Sequence, residues 1–141
     1  MDANYWEGFI NELTTAWNQQ NRQKILAFYD NNYHGEESSD PHEQYGLASV
    51  QGMLEKFFSA FPDLVIQPID WVGNGSKLSL YWEAKGTHKG SILNIPPTGK
   101  PIRVRGVSFL NIQDNKIKHA KHLWDMAGML RHLGLLPALP A

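Results

Sequence analysis

The sequence predicts an α+β protein in which helices come first and a curled antiparallel sheet follows. Two observations set the order: up to Phe61 the large apolar residues recur at helical spacings, whereas from Leu64 to Trp124 four runs have strand character. A third sets the pairing: most of these runs are joined by very short links, which suit antiparallel neighbours.

In the first element Trp6, Phe9, Ile10, Leu13 and Trp17 fall on one face of a helix between Tyr5 and Trp17. Asn21 is the expected N-cap of a short second helix carrying Ile25, Leu26, Phe28 and Tyr29, which Asp30-Asn31-Asn32 ends. The polar segment from Tyr33 to Tyr45, with Asp40-Pro41 and two histidines, reads as a loop. Leu47, Val50, Leu54, Phe57, Phe58 and Phe61 make a third helix, which Pro62 cannot continue. The strands are expected at Leu64 to Val72, Lys77 to Gly86, Pro101 to Ile112 and Lys116 to Trp124. Gly73-Asn74-Gly75 and Asp114-Asn115 are the turns between them. Met126, Met129, Leu130 and Leu133 predict a terminal helical turn or two that stops at Gly134, before an extended Leu136-Pro137-Ala138-Leu139-Pro140 tail.

With 141 residues, 42% of them hydrophobic, the chain fits one domain over 1–141 that buries a core and still leaves room for a ligand. Five Trp, five Tyr and six Phe supply both core and pocket wall. A net charge of −1 lacks the basic excess that neutralising phosphates requires, so nucleic acid is not an expected partner. The absence of cysteine excludes disulfides, thiolate metal sites and cysteine nucleophiles. Neither a signal-peptide pattern nor an apolar run of membrane-spanning length is visible, and the expected setting is soluble and cytoplasmic, without a membrane partner. His119 and His122 are three apart on a strand, so they point to opposite faces, and no metal-ligand spacing is present; no metal is expected.

One connection has an unusual composition. Gly86-Thr87-His88-Lys89-Gly90 is followed by Ile95-Pro96-Pro97-Thr98-Gly99-Lys100, where prolines stiffen the backbone and glycines supply conformations other residues avoid. Together with Phe61-Pro62-Asp63-Leu64 upstream, and Lys116-Ile117, Trp124-Asp125 and Gly128-Met129-Leu130-Arg131-His132-Leu133-Gly134 downstream, this loop closely resembles the SnoaL-like polyketide cyclases of the NTF2-like superfamily. The resemblance implies a cone: a curved antiparallel sheet wrapped around three N-terminal helices, with a central pocket open at one end. It also implies an intramolecular aldol condensation that needs neither metal nor cofactor.

Asp125 is the leading candidate for chemistry. At a strand-to-helix junction a carboxylate either caps the amides of Ala127 or Gly128, or is desolvated enough to serve as a general base. The resemblance favours the second role, because Asp125 falls where these cyclases have their acid/base aspartate. Strict alternation puts Ile117, His119, Lys121, Leu123 and Asp125 on one face if no bulge intervenes, which makes His119, Lys121 and Leu123 candidate substrate contacts. Family members often carry Glu and Trp where this chain has His119 and Lys121. A lysine beside Asp125 would lower its pKa or hold an anionic ligand, unless its ammonium reaches solvent. His88 is a second catalytic candidate or a histidine fixing its loop, and His34 has similar standing. Trp82 and Trp17 line the pocket or fill the core.

These readings leave three functions open: a cofactor-independent cyclase acting on a small hydrophobic or aromatic ligand, a binding protein with the same pocket, and a ketosteroid-isomerase-like isomerase or dehydratase with His88 or Tyr81 as second acid. Tyr81 and Phe109 on the outer sheet face predict a homodimer.

Overall fold

The computed structural model describes residues 2–140. Helix α1 (Ala3–Asn18) starts at Asp2, whose side chain accepts the Tyr5 amide at 2.9 Å, and it buries Trp6, Phe9, Ile10, Leu13 and Ala16. Helix α2 (Arg22–Leu26) is capped by Asn21, as its sequence predicts. Helix α3 (Gly46–Ala60) buries Val50, Met53, Leu54, Phe58 and Ala60 and stops before Pro62.

The segment read as a loop is instead a hairpin of two strands, β1 (Tyr29–Glu37) and β2 (Asp40–Tyr45), and Tyr29 belongs to β1 and not to α2. Its polarity disguised it. The inward positions of β1 are Tyr29, Tyr33, Gly35 and Glu37, of which only two are apolar in bulk, and its outward positions are polar. The strand is held by partners distant in sequence: β1 runs parallel to β6, with His34 beside His119 and Glu37 beside His122. Such a crossover pairing leaves no local signal.

The other strands are β3 (Val65–Asn74), β4 (Lys77–Thr87), β5 (Pro101–Gln113) and β6 (Lys116–Trp124), followed by α4 (Met126–His132). The six strands form one sheet in the order β2-β1-β6-β5-β4-β3, antiparallel except for the β1–β6 pair. Helices α1 and α3 pack on its inner face. Between them lies the core, in which Ile25, Leu54, Ile112 and Ile117 are fully buried, each contributing roughly 1.5–3 kcal/mol relative to exposure.

An irregularity in β6 decides which side chains face inward. Ile117 pairs with Ile112 but His119 pairs with Asn111, so Lys118 is an extra residue in the ladder. Past this bulge the alternation is shifted by one, and a one-residue slip exchanges the two faces. The inward residues are therefore Ile117, Ala120, His122 and Trp124, while His119, Lys121 and Leu123 look outward.

The proline-containing connection is tied down as its composition suggested. His88 and Lys100 pair through the His88 amide at 2.9 Å, and the Gly99 amide donates to the His88 carbonyl at 2.8 Å. Gly99 has φ +70°, in the left-handed region that favours glycine. Asp63 of the Phe-Pro-Asp-Leu segment accepts both the amide and the hydroxyl of Thr87 at 2.7 Å, so the two motifs hold one another.

Candidate active site

Between α1, α3 and the inner sheet face the packing leaves a hollow of about 120 Å³. Leu13, Trp17, Phe57, Phe61, Leu110 and Met129 are among its mostly apolar lining. Apolar walls exclude water and strengthen any polar contact made inside them.

The polar wall is built from the sheet register. Glu37 on β1 lies beside His122 on β6, which lies beside Ser108 on β5, and all three side chains face the hollow. In the next inward row Gly106 pairs with Trp124 on one side and Trp82 on the other. A Cβ at Gly106 would strike the Trp82 ring, so a glycine there makes room for the two indoles to converge.

Each indole N–H is committed. Trp124 Nε1 donates to Glu37 Oε1 at 2.6 Å, and Trp82 Nε1 donates to Ser108 Oγ at 2.9 Å. Ser108 Oγ is in turn 2.7 Å from His122 Nδ1. His122 Nε2 is sealed from water and has no hydrogen-bond partner in the protein. Burial pushes the imidazole down to about 4, against which the nearby Glu37 charge acts only partly, so the ring is neutral at pH 7.

Glu37 is buried yet ionised. Burial alone would raise its pKa, but hydrogen bonds from the Ser39 hydroxyl, Lys56, the Ser39 amide and Trp124 outweigh it and hold the carboxyl below its ordinary value. Lys56 reaches it from α3 at 2.9 Å. Burial, followed by the proximity of Tyr33, raises the Tyr29 phenol, keeping it protonated.

Of the eight residues singled out from sequence, Trp17 and Trp82 line the hollow. Asp125 does not: it is exposed and its Oδ1 accepts the Gly128 amide at 2.8 Å as the N-cap of α4. The unsatisfied amides of that first turn, with no side chain at Gly128 to block the approach, draw the carboxylate onto the backbone. His119 and His34 meet edge to face at 5.7 Å on the outer face, where His34 also stacks on Tyr45 at 4.8 Å. Lys121 stands 3.7 Å from Glu36, and Leu123 is 52% exposed; the Lys118 bulge is the reason these lie outside. His88 is fully buried behind the hollow, accepting the Thr98 amide at 3.2 Å and packing on Phe61.

Sequence reasoning missed Glu37, Ser108, His122 and Trp124 as a group. For His122 and Trp124 the signal was present in the alternation but lost without the bulge. Glu37 and Ser108 carry no local mark. Among the described residues no group of His, Asp and Glu is arranged to hold a metal ion, and no helix is long and apolar enough to cross a membrane.

Comparison with known proteins gives a consistent picture. The family model of the SnoaL-like polyketide cyclases matches residues 9–133. No curated protein sequence matches the chain. Among solved structures, AclR of Streptomyces galilaeus, described as a candidate hydroxylase, superposes with a TM-score of 0.86 at 22% identity, covering 99% of this chain and 91% of AclR. IdmH of Streptomyces antibioticus, a candidate polyketide cyclase, gives 0.77 at 21% identity over 91% of this chain and 97% of its own. A hypothetical protein of Catenulispora acidiphila with a ketosteroid-isomerase-like fold, in complex with trimethylamine, gives 0.78 at 12% identity, over 91% and 93%. At these identities the superpositions establish the shared fold alone.

Proposed function

Because the chain belongs to the SnoaL-like polyketide cyclase family, we propose that it is a cofactor-independent enzyme that closes a ring in a small, largely apolar substrate, with His122 as the residue that meets the reacting oxygen. The observation that carries this reading is a neutral imidazole in the wall of an apolar hollow whose Nε2 has no partner in the protein. Buried polar atoms are rarely left unpaired, and a substrate oxygen is the partner this one lacks.

In an aldol-type closure, the enol carbon of a 1,3-dicarbonyl unit attacks a second carbonyl of the same molecule. The carbonyl π pair moves onto oxygen, the enol proton leaves to solvent, and the new alkoxide takes up a proton. The hollow contributes by folding the substrate so that both carbons already lie close, and His122 by accommodating the oxygen on which charge develops. Asp125, engaged at the α4 amides, supports this reading as a stability residue.

The test is turnover of a synthetic aromatic 1,3-diketone, followed by chromatography, for His122→Ala and Asp125→Asn. His122→Ala is expected to lower kcat by roughly 100-fold or more, while Asp125→Asn keeps it within a few-fold. The opposite ranking in folded proteins removes His122 from the mechanism and returns the role to Asp125.

A second reading has its own support. Neither titratable group in the polar row is a good base at pH 7, since His122 is pushed down to about 4 and the Glu37 carboxylate is occupied by four donor groups. That suits a protein that binds its ligand without converting it, and ligand-induced thermal stabilisation with no product identifies this case. The chain is also proposed to act as a homodimer through the outer sheet face, where Phe109 and Leu123 are 45% and 52% exposed beside Val107 and Tyr81.

A further inference from the structure

We propose that Trp82 and Ser108 are positioning residues that lock neutral His122 in the Nε2–H tautomer, so that it serves the hollow as a hydrogen-bond donor to a carbonyl or enolate oxygen and not as a proton-abstracting base. This deepens the reading given above for the same site and rests on it for its role in turnover.

The argument is one of hydrogen-bond counting. An indole nitrogen only donates, so Trp82 Nε1, 2.9 Å from Ser108 Oγ, occupies one lone pair of the serine. Ser108 is buried, and its remaining contact is with His122 Nδ1 at 2.7 Å. Two arrangements are possible. If Nδ1 carried the proton it would donate to the second serine lone pair; the serine hydrogen would then have no acceptor, and Nε2 would be a second unpaired atom. If the serine donates to Nδ1, indole, hydroxyl and imidazole form a chain running in one direction, and the single group left over is Nε2–H. A buried group without a partner is costly, so the arrangement with one orphan outweighs that with two. Cooperative polarisation along the chain acts in the same direction. The low basicity of the buried ring excludes the doubly protonated form at neutral pH.

The other donors nearest this row do not compete for the ligand. The Lys56 ammonium is held by Glu37, and the Trp124 indole N–H is held by the same carboxylate. A substrate oxygen that displaces the packing over Nε2 therefore meets an N–H donor at His122, with the Glu37 anion in the neighbouring strand. That pairing favours an uncharged carbonyl over a carboxylate.

The test reads the tautomer directly in the ligand-free protein. Long-range proton–nitrogen correlation on ¹⁵N-histidine-labelled protein distinguishes a protonated ring nitrogen from one with a lone pair, and the His122 signals are assigned by their loss in His122→Asn. Wild type is expected to show Nε2 protonated and Nδ1 bare. Ser108→Ala is expected to shift the signals towards Nδ1–H or a mixture, with Ser108→Thr restoring the wild-type pattern by returning the hydroxyl. In turnover, Ser108→Ala is expected to reduce kcat about tenfold or more with KM little changed, the signature of a mispositioned group. Wild type with Nδ1 protonated, or Ser108→Ala with an unchanged tautomer, overturns the proposal. Should Ser108→Ala fail to fold, the wild-type and Ser108→Thr spectra still decide it. If the tautomer is as expected but His122→Ala leaves turnover intact, the lock stands and the catalytic reading of His122 falls.

Discussion

The two faces of the same sheet treat a buried carboxylate in opposite ways. On the outer face, Glu83 is covered by exposed basic side chains, with Arg105 at 3.2 Å, Arg103 at 3.6 Å and Lys85 at 3.9 Å. On the inner face, Glu37 is held by Lys56, Ser39 and the Trp124 indole, all within 3.0 Å. The outer arrangement is bathed in water and screened by salt, and each such pair is worth little. In the inner one the carboxylate itself is sealed from water, with only its Lys56 partner partly exposed, and each group there depends on the others. The difference shows where this molecule concentrates its electrostatics: in one desolvated row, Glu37, His122 and Ser108, against an otherwise apolar wall.

Breaking the inner row should therefore cost most. Glu37→Ala would leave Lys56, Ser39 and Trp124 without their common acceptor, and a loss of about 3–5 kcal/mol is expected from removing one partner of a buried pair. Urea denaturation measures it; a loss below about 1 kcal/mol would place Glu37 in the same class as the outer pairs. The next effect is a pH dependence of stability. His122 titrates near the ordinary histidine value of 6.5 when unfolded and at about 4 when folded, so the unfolded chain binds the extra proton between those values. Its contribution is fully present above pH 6.5 and is lost as pH falls towards 4. Glu37, held below its ordinary value, adds a further loss at lower pH, beneath about 4.5. His122→Asn should flatten the first window and leave the second.

The same contrast explains what could be read from the sequence. The helices, the four long strands and both tight turns follow from periodicity and turn residues, because each is set by neighbours within a few positions. The β1–β2 hairpin was hidden, since its inward positions hold a glycine and a glutamate and its main support is β6, some 85 residues later. The site failed to appear for a related reason. One extra residue, Lys118, exchanged the faces of β6, turning an expected stripe of His119, Lys121, Leu123 and Asp125 into the actual one of Ala120, His122 and Trp124. Sequence alternation has the right period but no means of fixing its phase across a bulge.

Asp125 sharpens the comparison at an intermediate scale, because it follows β6 directly and caps α4 from an exposed position. As an exposed N-cap it should cost about 1 kcal/mol when replaced by alanine, and much less when replaced by asparagine, which caps as well. A thermal-denaturation series of wild type, Asp125→Asn and Asp125→Ala measures this. A stability gain on replacement would show a strained carboxylate, and would reopen the case for a functional role.

The outer face should give the smallest change in fold stability and the clearest change in mass. Lys121 and Glu36 are 66% and 44% exposed in their side chains, so Lys121→Ala should shift stability by less than about 1 kcal/mol. Phe109 lies in the neighbouring strand, paired with Lys121 in the ladder and lined up with Ser79 on its other side. Phe109→Glu removes no core contact, so the monomer fold should change by only about 0.5 kcal/mol. It would, however, set a charge in the middle of the apolar surface proposed to join two copies. Light scattering at micromolar concentration is expected to give the mass of two chains for wild type and of one for the variant. A wild-type mass of one chain would mean that the exposed Phe109 and Leu123, with the half-buried Val107 between them, serve no self-association, and that the outer face differs from the inner one in chemistry without having an interface of its own.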